Sequence, residues 1–199
     1  MGSPNCKDHP STVLKEAIKG GITLFQFREK GTEALTGDAK VSLAKELLQI
    51  CRESQIPFIV NDDIGLAIAL DADGVHIGQE DEPIEEVRKK IGTEKIIGVS
   101  VHSYDEAITA LEGEADYFGI GPVFPTKTKE DAKPSNGTKL IEDLRDRGLT
   151  IPIVGIGGIN AKNAGTVIKA GADGVSVITA ISHAPSVTEA AKALKKCIY

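Results

Sequence analysis

Two cations at alternate positions mark the first stretch of this sequence that could do chemistry. Residues 24–30 read LFQFREK, which predicts a β-strand, and side chains on a strand alternate between its two faces. Gln26, Arg28 and Lys30 then share one face, and the two phenylalanines between them share the other. If the phenylalanines pack under helices, the cations point into the protein and need an anion to offset their desolvation. The alternatives are a solvated edge strand, or cations already neutralised by carboxylates of the protein.

Oxygen ligands follow two later predicted strands. Asn61 and Asp62 come directly after the apolar run 56–60, and Asp81 closely follows the next such run. Carboxylate and amide oxygens are ligands that Mg²⁺ takes when it also binds substrate phosphates. These residues predict a magnesium site, although Asp62 or Asp63 could instead cap the next helix.

A glycine-rich stretch predicts a phosphate site. Residues 153–160 read IVGIGGIN and lead from a strand into a helix, so backbone N–H groups can approach an anion near the positive end of that helix. Residues 177–181, at the end of the last predicted strand, could supply the other half, because the loops after strands seven and eight often bind phosphate in (β/α)8 barrels. Glycine also serves tight barrel corners, which is the structural alternative.

The longest stretch without periodicity, residues 121–137, is rich in lysine, threonine, proline and glycine. Long loops in compact domains are usually functional or disordered. Its hydroxyls and lysines could close over phosphates, and the alternative is an exposed loop with solvated lysines. His76 and His102 would suit a general base, but one lies in mid-strand and the other beside a helix start, which favours structural roles.

The elements that must position these groups alternate between strand and helix patterns. The sequence predicts strands at 24–30, 56–60, 74–78, 96–101, 117–123, 152–157 and 174–179. It predicts helices at 13–19, 36–54, 64–70, 83–90, 104–112, 138–147, 161–170 and 187–196. A related turn precedes three strands, as DADGV at 71–75, EADY at 114–117 and GADGV at 171–175.

Strict alternation predicts an α/β fold with a parallel sheet. The number of units in so short a chain favours a closed TIM (β/α)8 barrel over an open doubly wound sheet. In such barrels the chemistry lies at the carboxyl ends of the strands, and the charged strand ends described above all fall there.

The predicted barrel has eight helices but only seven strands. A strand should precede the helix at 13–19, yet residues 1–6 read MGSPNC, with a proline and no apolar run. They resemble a strand's exit loop, so the first strand is apparently missing from this chain and Met1 could be an internal methionine. We therefore expect a seven-stranded, incompletely closed barrel with unpaired backbone groups at both edges.

Composition bounds the class of protein. The 199 residues are 41% hydrophobic and 26% charged, which suits a single domain spanning 1–199. Three cysteines, far apart and in no CxxC pair, argue against a disulfide framework or a zinc site and fit a reducing cytoplasm. The first twenty residues contain no apolar run of signal-peptide or membrane length. A net charge of −6 and a pI near 5.3 argue against nucleic acid as a partner.

Six motifs together resemble the thiamine-phosphate synthase family. They are QFREK at 26–30, PFIVNDD at 57–63, DGVHIGQED at 73–81, GVSVH at 98–102, GPVFPTKTK at 121–129 and PIVGIGGI at 152–159. The resemblance runs from about residue 20 to residue 182, and six motifs in order are highly specific.

The resemblance implies an enzyme that joins a pyrimidine diphosphate to a thiazole phosphate with Mg²⁺. It implies that the diphosphate substrate is held by Gln26, Arg28, Glu29, Lys30, Asn61, Ser100 and Lys129, and the metal by Asp62 and Asp81. It places the thiazole phosphate on Thr126, Thr128, Gly158, Ile178 and Thr179. Among these, Arg28, Lys30, Ser100 and Lys129 are the expected catalytic residues. Thr179 replaces a serine that is common in the family but keeps the N–H and the hydroxyl; a homo-oligomer is left open.

Two alternatives accompany this resemblance. The thiazole tautomerase branch of the same superfamily shares the phosphate site but has a histidine where this chain has Pro122. A non-catalytic barrel that binds a phosphate ligand is the other. The set Arg28, Lys30, Asp62, Asp81 and Lys129 argues against it, because a sensor of one phosphate needs no metal site.

Overall fold

A seven-stranded parallel sheet forms the centre of the protein. The computed structural model describes residues 1–126, 128 and 135–198. The strands lie side by side in chain order, and every pair is parallel. They are β1 (Phe25–Phe27), β2 (Phe58–Asn61), β3 (Gly74–Ile77), β4 (Ile96–Val101), β5 (Tyr117–Ile120), β6 (Ile153–Ile156) and β7 (Gly174–Ser176). The predicted parallel α/β architecture is confirmed.

Helices separate the strands, as the apolar periodicity predicted. In the described residues they are α1 (Pro10–Lys19), α2 (Gly37–Glu53), α3 (Ile64–Leu70), α4 (Ile84–Ile91), α5 (Tyr104–Glu112), α6 (Lys139–Asp146), α7 (Ala164–Lys169), α8 (Thr179–Ser182) and α9 (Val187–Lys195). Across the described ranges, no helix combines the length and apolar character that a membrane crossing requires.

Several strands are shorter than their sequence patterns predicted, and two of these differences move predicted site residues out of a strand. The ladder between β1 and β2 covers three residues, so Arg28 and Lys30 follow the strand instead of belonging to it. β7 ends at Ser176, and Thr179 begins the short helix α8 instead of extending the strand. The predicted helix at 161–170 also starts late, at Ala164, because a turn closed by the Asn163 side chain precedes it.

The sheet is open between β1 and β7 in the part of the chain that the structure describes. The backbone of Met1 lies along the free edge of β1: its ammonium donates to the Gln26 carbonyl at 2.6 Å, and the Arg28 N–H donates to the Met1 carbonyl at 3.1 Å. The chain then turns into a 3-10 helix at Ser3–Asn5. The seven predicted strands are present, whereas the described residues contain no eighth strand that would close a full barrel.

The predicted division of the first strand into two faces is confirmed. Phe25 and Phe27 are buried on the helix side, where both rings lie close to that of Phe58, at centroid distances of 5.7 and 6.0 Å. Each buried ring contributes about 1.5–3 kcal/mol. Since the phenylalanines anchor β1 from outside, the residues that alternate with them face the interior of the sheet.

The repeated turn has a physical explanation at the amino ends of the strands. Each of the three aspartates in this turn accepts a hydrogen bond of 2.7 Å from a backbone N–H of the preceding strand. The donor is the first or the second residue of that strand. The pairs are Asp73 with Phe58, Asp116 with Ile97, and Asp173 with Ile153. The sequence echo therefore reflects a recurrent hydrogen bond that fastens neighbouring strands.

Two arginines complete this arrangement. Arg88 binds the Asp116 carboxylate at 2.8 Å and the Lys95 carbonyl at 2.6 Å. Arg145 binds the Asp173 carboxylate at 2.6 Å as well as the carbonyls of residues 149, 151 and 171. The charges at this end of the sheet are thus matched by partners of the protein itself.

Candidate active site

One large cavity of about 1110 Å³ occupies the interior of the curved sheet and the rim at the carboxyl ends of the strands, and it also reaches Asp116 and Asp173 at the amino ends. Twelve of the residues expected to bind substrate or metal line it. They are Gln26, Arg28, Lys30, Asn61, Asp62, Asp81, Ser100, Thr126, Thr128, Gly158, Ile178 and Thr179. Lys129 lies outside the described residues. Parallel strands bring these distant segments to one rim, as the sequence predicted.

Glu29 has a different location from its neighbours. Its carboxylate accepts the backbone N–H of Ser3 at 2.8 Å and that of Leu35 at 2.9 Å, and it also binds the Ser3 hydroxyl. It is buried and does not line the cavity. The geometry gives Glu29 the task of holding the loop after β1 against the N-terminal segment, while its expected contact with substrate stays a prediction.

The cationic end of the cavity lies just beyond β1. Arg28 is buried, with 8% of its surface exposed, whereas Lys30 is about half exposed and forms an ion pair with Asp62. The alternative in which protein carboxylates neutralise the cations therefore holds for Lys30. That pair bridges the ends of β1 and β2 at the cavity wall, where an incoming anion would meet both cations.

The acidic pair beside these cations comes from the ends of β2 and β3. Asp62 has a left-handed backbone conformation, with φ of 61°, and its N–H donates to the His76 carbonyl at 2.8 Å. Asp63, not Asp62, caps α3 by accepting the Leu66 N–H, and it also binds Lys40. The capping alternative is therefore wrong for Asp62, whose carboxylate faces the cavity.

Asp81 is the second member of the acidic pair. Its carboxylate accepts the Gly78 N–H at 2.7 Å. Burial raises the pKa of Asp81 above its ordinary value, and the neighbouring Asp62 carboxylate raises it further. Two carboxylates held together in this way favour a positive charge between them.

This donor set fits Mg²⁺. The ion commonly takes one or two protein carboxylates and completes its coordination with water and substrate phosphates. Asp62 and Asp81 supply such carboxylates, with the Asn61 amide close by in sequence and also on the cavity wall. The described residues contain no cluster of three or more histidine, cysteine or acidic side chains suited to a metal. From these residues, the protein would therefore supply only part of the coordination of an ion.

A row of polar side chains crosses the floor of the cavity. His76 in β3 is buried, and its Nδ1 lies 2.9 Å from the hydroxyl of Tyr117 in β5. Its Nε2 lies 2.9 Å from the hydroxyl of Ser100 in β4. Burial raises the pKa of this tyrosine, and the Gln26 side chain acts on it to lower that pKa, as a nearby donor does. The sequence interpretation missed Tyr117; a polar aromatic at the start of an otherwise apolar strand was the available signal.

The other end of the cavity is built from the ends of β6 and β7. Gly157 and Gly158 both have positive φ, and a Cβ on Gly158 would come within 2.7 Å of the Phe124 Cβ. The glycines are therefore needed for a tight corner, which bears out the structural alternative as far as backbone geometry goes. The hydroxyl of Thr128 lies 3.2 Å from that of Thr179, at the first residue of α8.

This corner places donors around a small space. The same part of the cavity is bordered by the hydroxyls of Thr128 and Thr179 and by the backbone of Gly158. The first N–H groups of α8, which have no acceptor within the helix, lie there as well. The residues predicted for the phosphate site do lie together, but the helix that begins there is α8 and not α7. α7 begins six residues after Gly158, whereas α8 begins at Thr179.

Two of the three free cysteines, Cys6 and Cys51, are poor candidates for a catalytic nucleophile. Burial raises the pKa of Cys51 to about 12 and that of Cys6 to about 11. Because the thiolate is the reactive form, neither side chain is a nucleophile near neutral pH.

Comparison with known proteins connects this geometry to a family. The family model described as thiamine monophosphate synthase matches residues 2–181. A thiamine-phosphate synthase of Bacillus cereus (strain ATCC 10987 / NRS 248) is 60% identical over 194 residues, which cover 98% of this chain and 86% of that protein. One from Bacillus thuringiensis (strain Al Hakam) is 59% identical, covering 98% of this chain and 88% of that protein.

Solved structures support the same assignment. The thiamine phosphate pyrophosphorylase from Pyrococcus furiosus superimposes with a TM-score of 0.86 at 38% identity, covering 99% of this chain and 92% of that one. Its counterpart from Bacteroides thetaiotaomicron, at 16% identity and a TM-score of 0.69, covers 98% of this chain and 94% of that one and supports the fold alone. With matches of this extent in sequence and structure, the chain belongs to the thiamine monophosphate synthase family.

Proposed function

We propose that the protein joins 4-amino-5-hydroxymethyl-2-methylpyrimidine diphosphate to a thiazole phosphate, or its carboxylated form, giving thiamine phosphate and diphosphate. The observation that carries the proposal is that one cavity has two separate groups of side chains and backbone N–H groups suited to anions. Arg28, Lys30 and the acidic pair form one end, and Gly158 with Thr179 forms the other. A reaction between two phosphorylated substrates needs such a layout.

The first end would hold the departing diphosphate. Arg28 and Lys30 supply positive charge at the cavity wall, and Lys129 would add a third cation from the loop. Asp62 and Asp81 would hold Mg²⁺, which when bound supplies further positive charge for the diphosphate oxygens. Gln26, Asn61 and Ser100 would hold the pyrimidine part, and Lys30 would exchange Asp62 for substrate.

The second end would hold the thiazole phosphate. The hydroxyls of Thr126, Thr128 and Thr179 are oriented by their own contacts at this corner, and the backbone N–H groups of Gly158 and of the start of α8 add further donors. Two anchored phosphates fix the distance between the reacting atoms, and such positioning contributes strongly to rate.

The chemistry needs charge stabilisation more than proton transfer. As the C–O bond to diphosphate breaks, the leaving group takes the electron pair and the electron-rich aminopyrimidine stabilises the carbon cation that remains. The thiazole nitrogen then forms the new C–N bond with its lone pair and has no proton to lose. Preorganised cations such as Arg28 therefore do the main catalytic work, which accounts for a site without a histidine base.

Neither alternative activity has a specific feature of this cavity in its favour. Pro122 lines the cavity where the tautomerase branch has its histidine. A sensor of one phosphate would leave the pair Asp62 and Asp81 without a purpose.

A direct assay tests the proposal. Purified protein is incubated with both substrates and Mg²⁺, and thiamine phosphate and diphosphate are measured together. We expect equal amounts of the two products, and loss of both when a chelator removes the metal. Turnover that a chelator leaves unchanged would contradict the metal assignment, and turnover of the thiazole tautomer alone would favour the competitor.

We also propose that this fold can accept a further parallel strand between β1 and β7, which would close a (β/α)8 barrel. Met1 makes two bonds to β1 in the pattern of a parallel ladder, to residues 26 and 28. Both bordering strands keep a free edge in the described part of the chain, and α1 packs on α9 beside the gap. An added strand would pair the backbone groups along both edges.

A further inference from the structure

The polar row on the cavity floor is a connected chain of hydrogen bonds. It runs from the hydroxyl of Tyr117 in β5 to Nδ1 of His76 in β3, and from Nε2 of that ring to the hydroxyl of Ser100 in β4. The Gln26 side chain in β1 acts on the tyrosine end of the row. Of these four side chains, His76 and Tyr117 have no role of their own in the proposed chemistry. Ser100, at the end of the row, lies at the cavity surface.

Neighbouring strands leave room for this row. Gly98 pairs with both His76 and Tyr117 in the sheet register, and a Cβ on Gly98 would overlap the tyrosine ring. Gly119 pairs with Ser100, and a Cβ there would come within 2.9 Å of the His76 ring. Two positions without side chains thus allow two rings to lie across the sheet, which a core of ordinary aliphatic side chains would not.

The donors can be ordered along the row. Burial raises the pKa of Tyr117 far above its ordinary value, so its hydroxyl keeps its proton. Gln26 lowers that raised pKa, as a donor to the phenol oxygen does, so we assign the tyrosine proton to the bond with Nδ1 of His76. With Nδ1 accepting, the ring donates from Nε2 to the Ser100 oxygen.

We propose that His76 is a positioning residue that holds the Ser100 hydroxyl so that its proton points into the cavity, toward an acceptor atom of the pyrimidine diphosphate. This inference rests on the proposed function for the identity of the ligand. The order of donors within the row does not depend on it.

A double-mutant cycle tests whether His76 acts through Ser100. Tyr117→Phe removes one hydroxyl from the row and keeps the ring, and His76→Gln removes the Nδ1 acceptor. We expect each to lower kcat/KM about tenfold, the size of one lost hydrogen bond to a ligand. In a Ser100→Ala background the same two changes should alter kcat/KM less than about twofold, because their target is absent. Independent, multiplying effects in that background would overturn the proposal.

Two further readouts separate positioning from a merely structural role. The KM for the pyrimidine diphosphate should rise in both variants, while that for the thiazole phosphate, which binds at the other end, stays the same. Tyr104→Phe is a matched control, since this tyrosine lies at the start of α5 under Arg147 and outside the cavity. It should leave both constants unchanged.

The donor order can be measured without any substrate. Protein labelled with ¹⁵N in its histidines should show His76 as a neutral ring protonated on Nε2, and Tyr117→Phe should change that pattern. A ring protonated on Nδ1 would overturn the proposal even if the enzyme is active. Conversely, absence of thiamine phosphate formation together with the expected tautomer would reject the proposed function and leave the row as described.

Discussion

Carboxylates occur at both ends of the same sheet, in opposite electrostatic situations. At the amino ends, Asp116 and Asp173 each accept a strand N–H at 2.7 Å and pair with an arginine. At the carboxyl ends, Asp62 and Asp81 face each other, and the pKa of Asp81 is raised by burial and by that neighbour. The amino end satisfies these charges with backbone hydrogen bonds and arginines, whereas at the carboxyl end Asp62 pairs with the half-exposed Lys30 and Asp81 keeps a like-charged neighbour.

The difference shows how one fold separates stability from function. Groups with complete partners gain little from a ligand, so they contribute to the folded state alone. Groups held close to like charges, and cations that line a cavity, are better placed to contribute to binding. Equivalent substitutions at the two ends should therefore have opposite effects.

The largest effect is expected at the carboxyl end. Arg28→Ala should lower kcat by about a thousandfold, the loss found when one preorganised donor to a developing negative charge is removed. Its melting temperature should fall much less than its rate, because Arg28 lines the cavity in which the substrate would bind. Steady-state kinetics and thermal unfolding on the same preparation check both parts. Normal turnover with a large loss of thermal stability would reverse the assignment of Arg28.

The converse is expected of Arg145 at the amino end. Arg145→Ala removes bonds to three carbonyls and to Asp173 and should lower the free energy of unfolding by about 2–4 kcal/mol. For a chain of this size the melting temperature should fall by about 2–4 °C for each kcal/mol. The activity of the folded protein at low temperature should match that of the parent. A matching loss of kcat in fully folded protein would show that the two ends are not independent.

A change at the open side should add stability without altering either set of carboxylates. A chain with an apolar β-strand fused ahead of Met1 should pair with the free edges of β1 and β7. Each buried backbone group that gains a partner contributes about 1–3 kcal/mol, so a clear rise in melting temperature is expected. A fusion of equal length rich in glycine and serine is the control. Equal melting temperatures for the two fusions would argue against the closed barrel.

The sequence predicted the fold and the rim far better than the interior. Period-two alternation separated Phe27 from Arg28, and charged residues after apolar runs identified Asp62, because both signals are local. The contact between His76 and Tyr117 joins residues 41 positions apart and depends on register between strands. No local pattern contains that register. The same reason hides the need for Gly98, whose missing side chain matters only to a neighbouring strand.

Local patterns also misjudged where strands end. Apolar residues continue past Ser176, so hydrophobicity alone extended β7, yet the chain starts α8 at Thr179. A strand persists only where a neighbour offers a ladder, and β6 offers none beyond Ile156. The sequence nevertheless placed Thr179 at the predicted phosphate site, and Thr179 does line the cavity although it belongs to a helix.

The smallest expected effect compares the two ends of the sheet most directly, because the same change from aspartate to asparagine is made at each end. Asp81→Asn removes one negative charge from the proposed metal site, and the Mg²⁺ concentration for half-maximal rate should rise about tenfold with little change at saturating metal. Asp116→Asn makes the same change at the amino end, where the partners are the Ile97 N–H and Arg88. It should lower the melting temperature and leave the Mg²⁺ requirement as it is. Rates measured across a series of Mg²⁺ concentrations, beside thermal unfolding of both variants, decide the matter. If Asp81→Asn binds Mg²⁺ as the parent does, the acidic pair is a structural feature of the rim, and the contrast between the two ends rests on Arg28 alone.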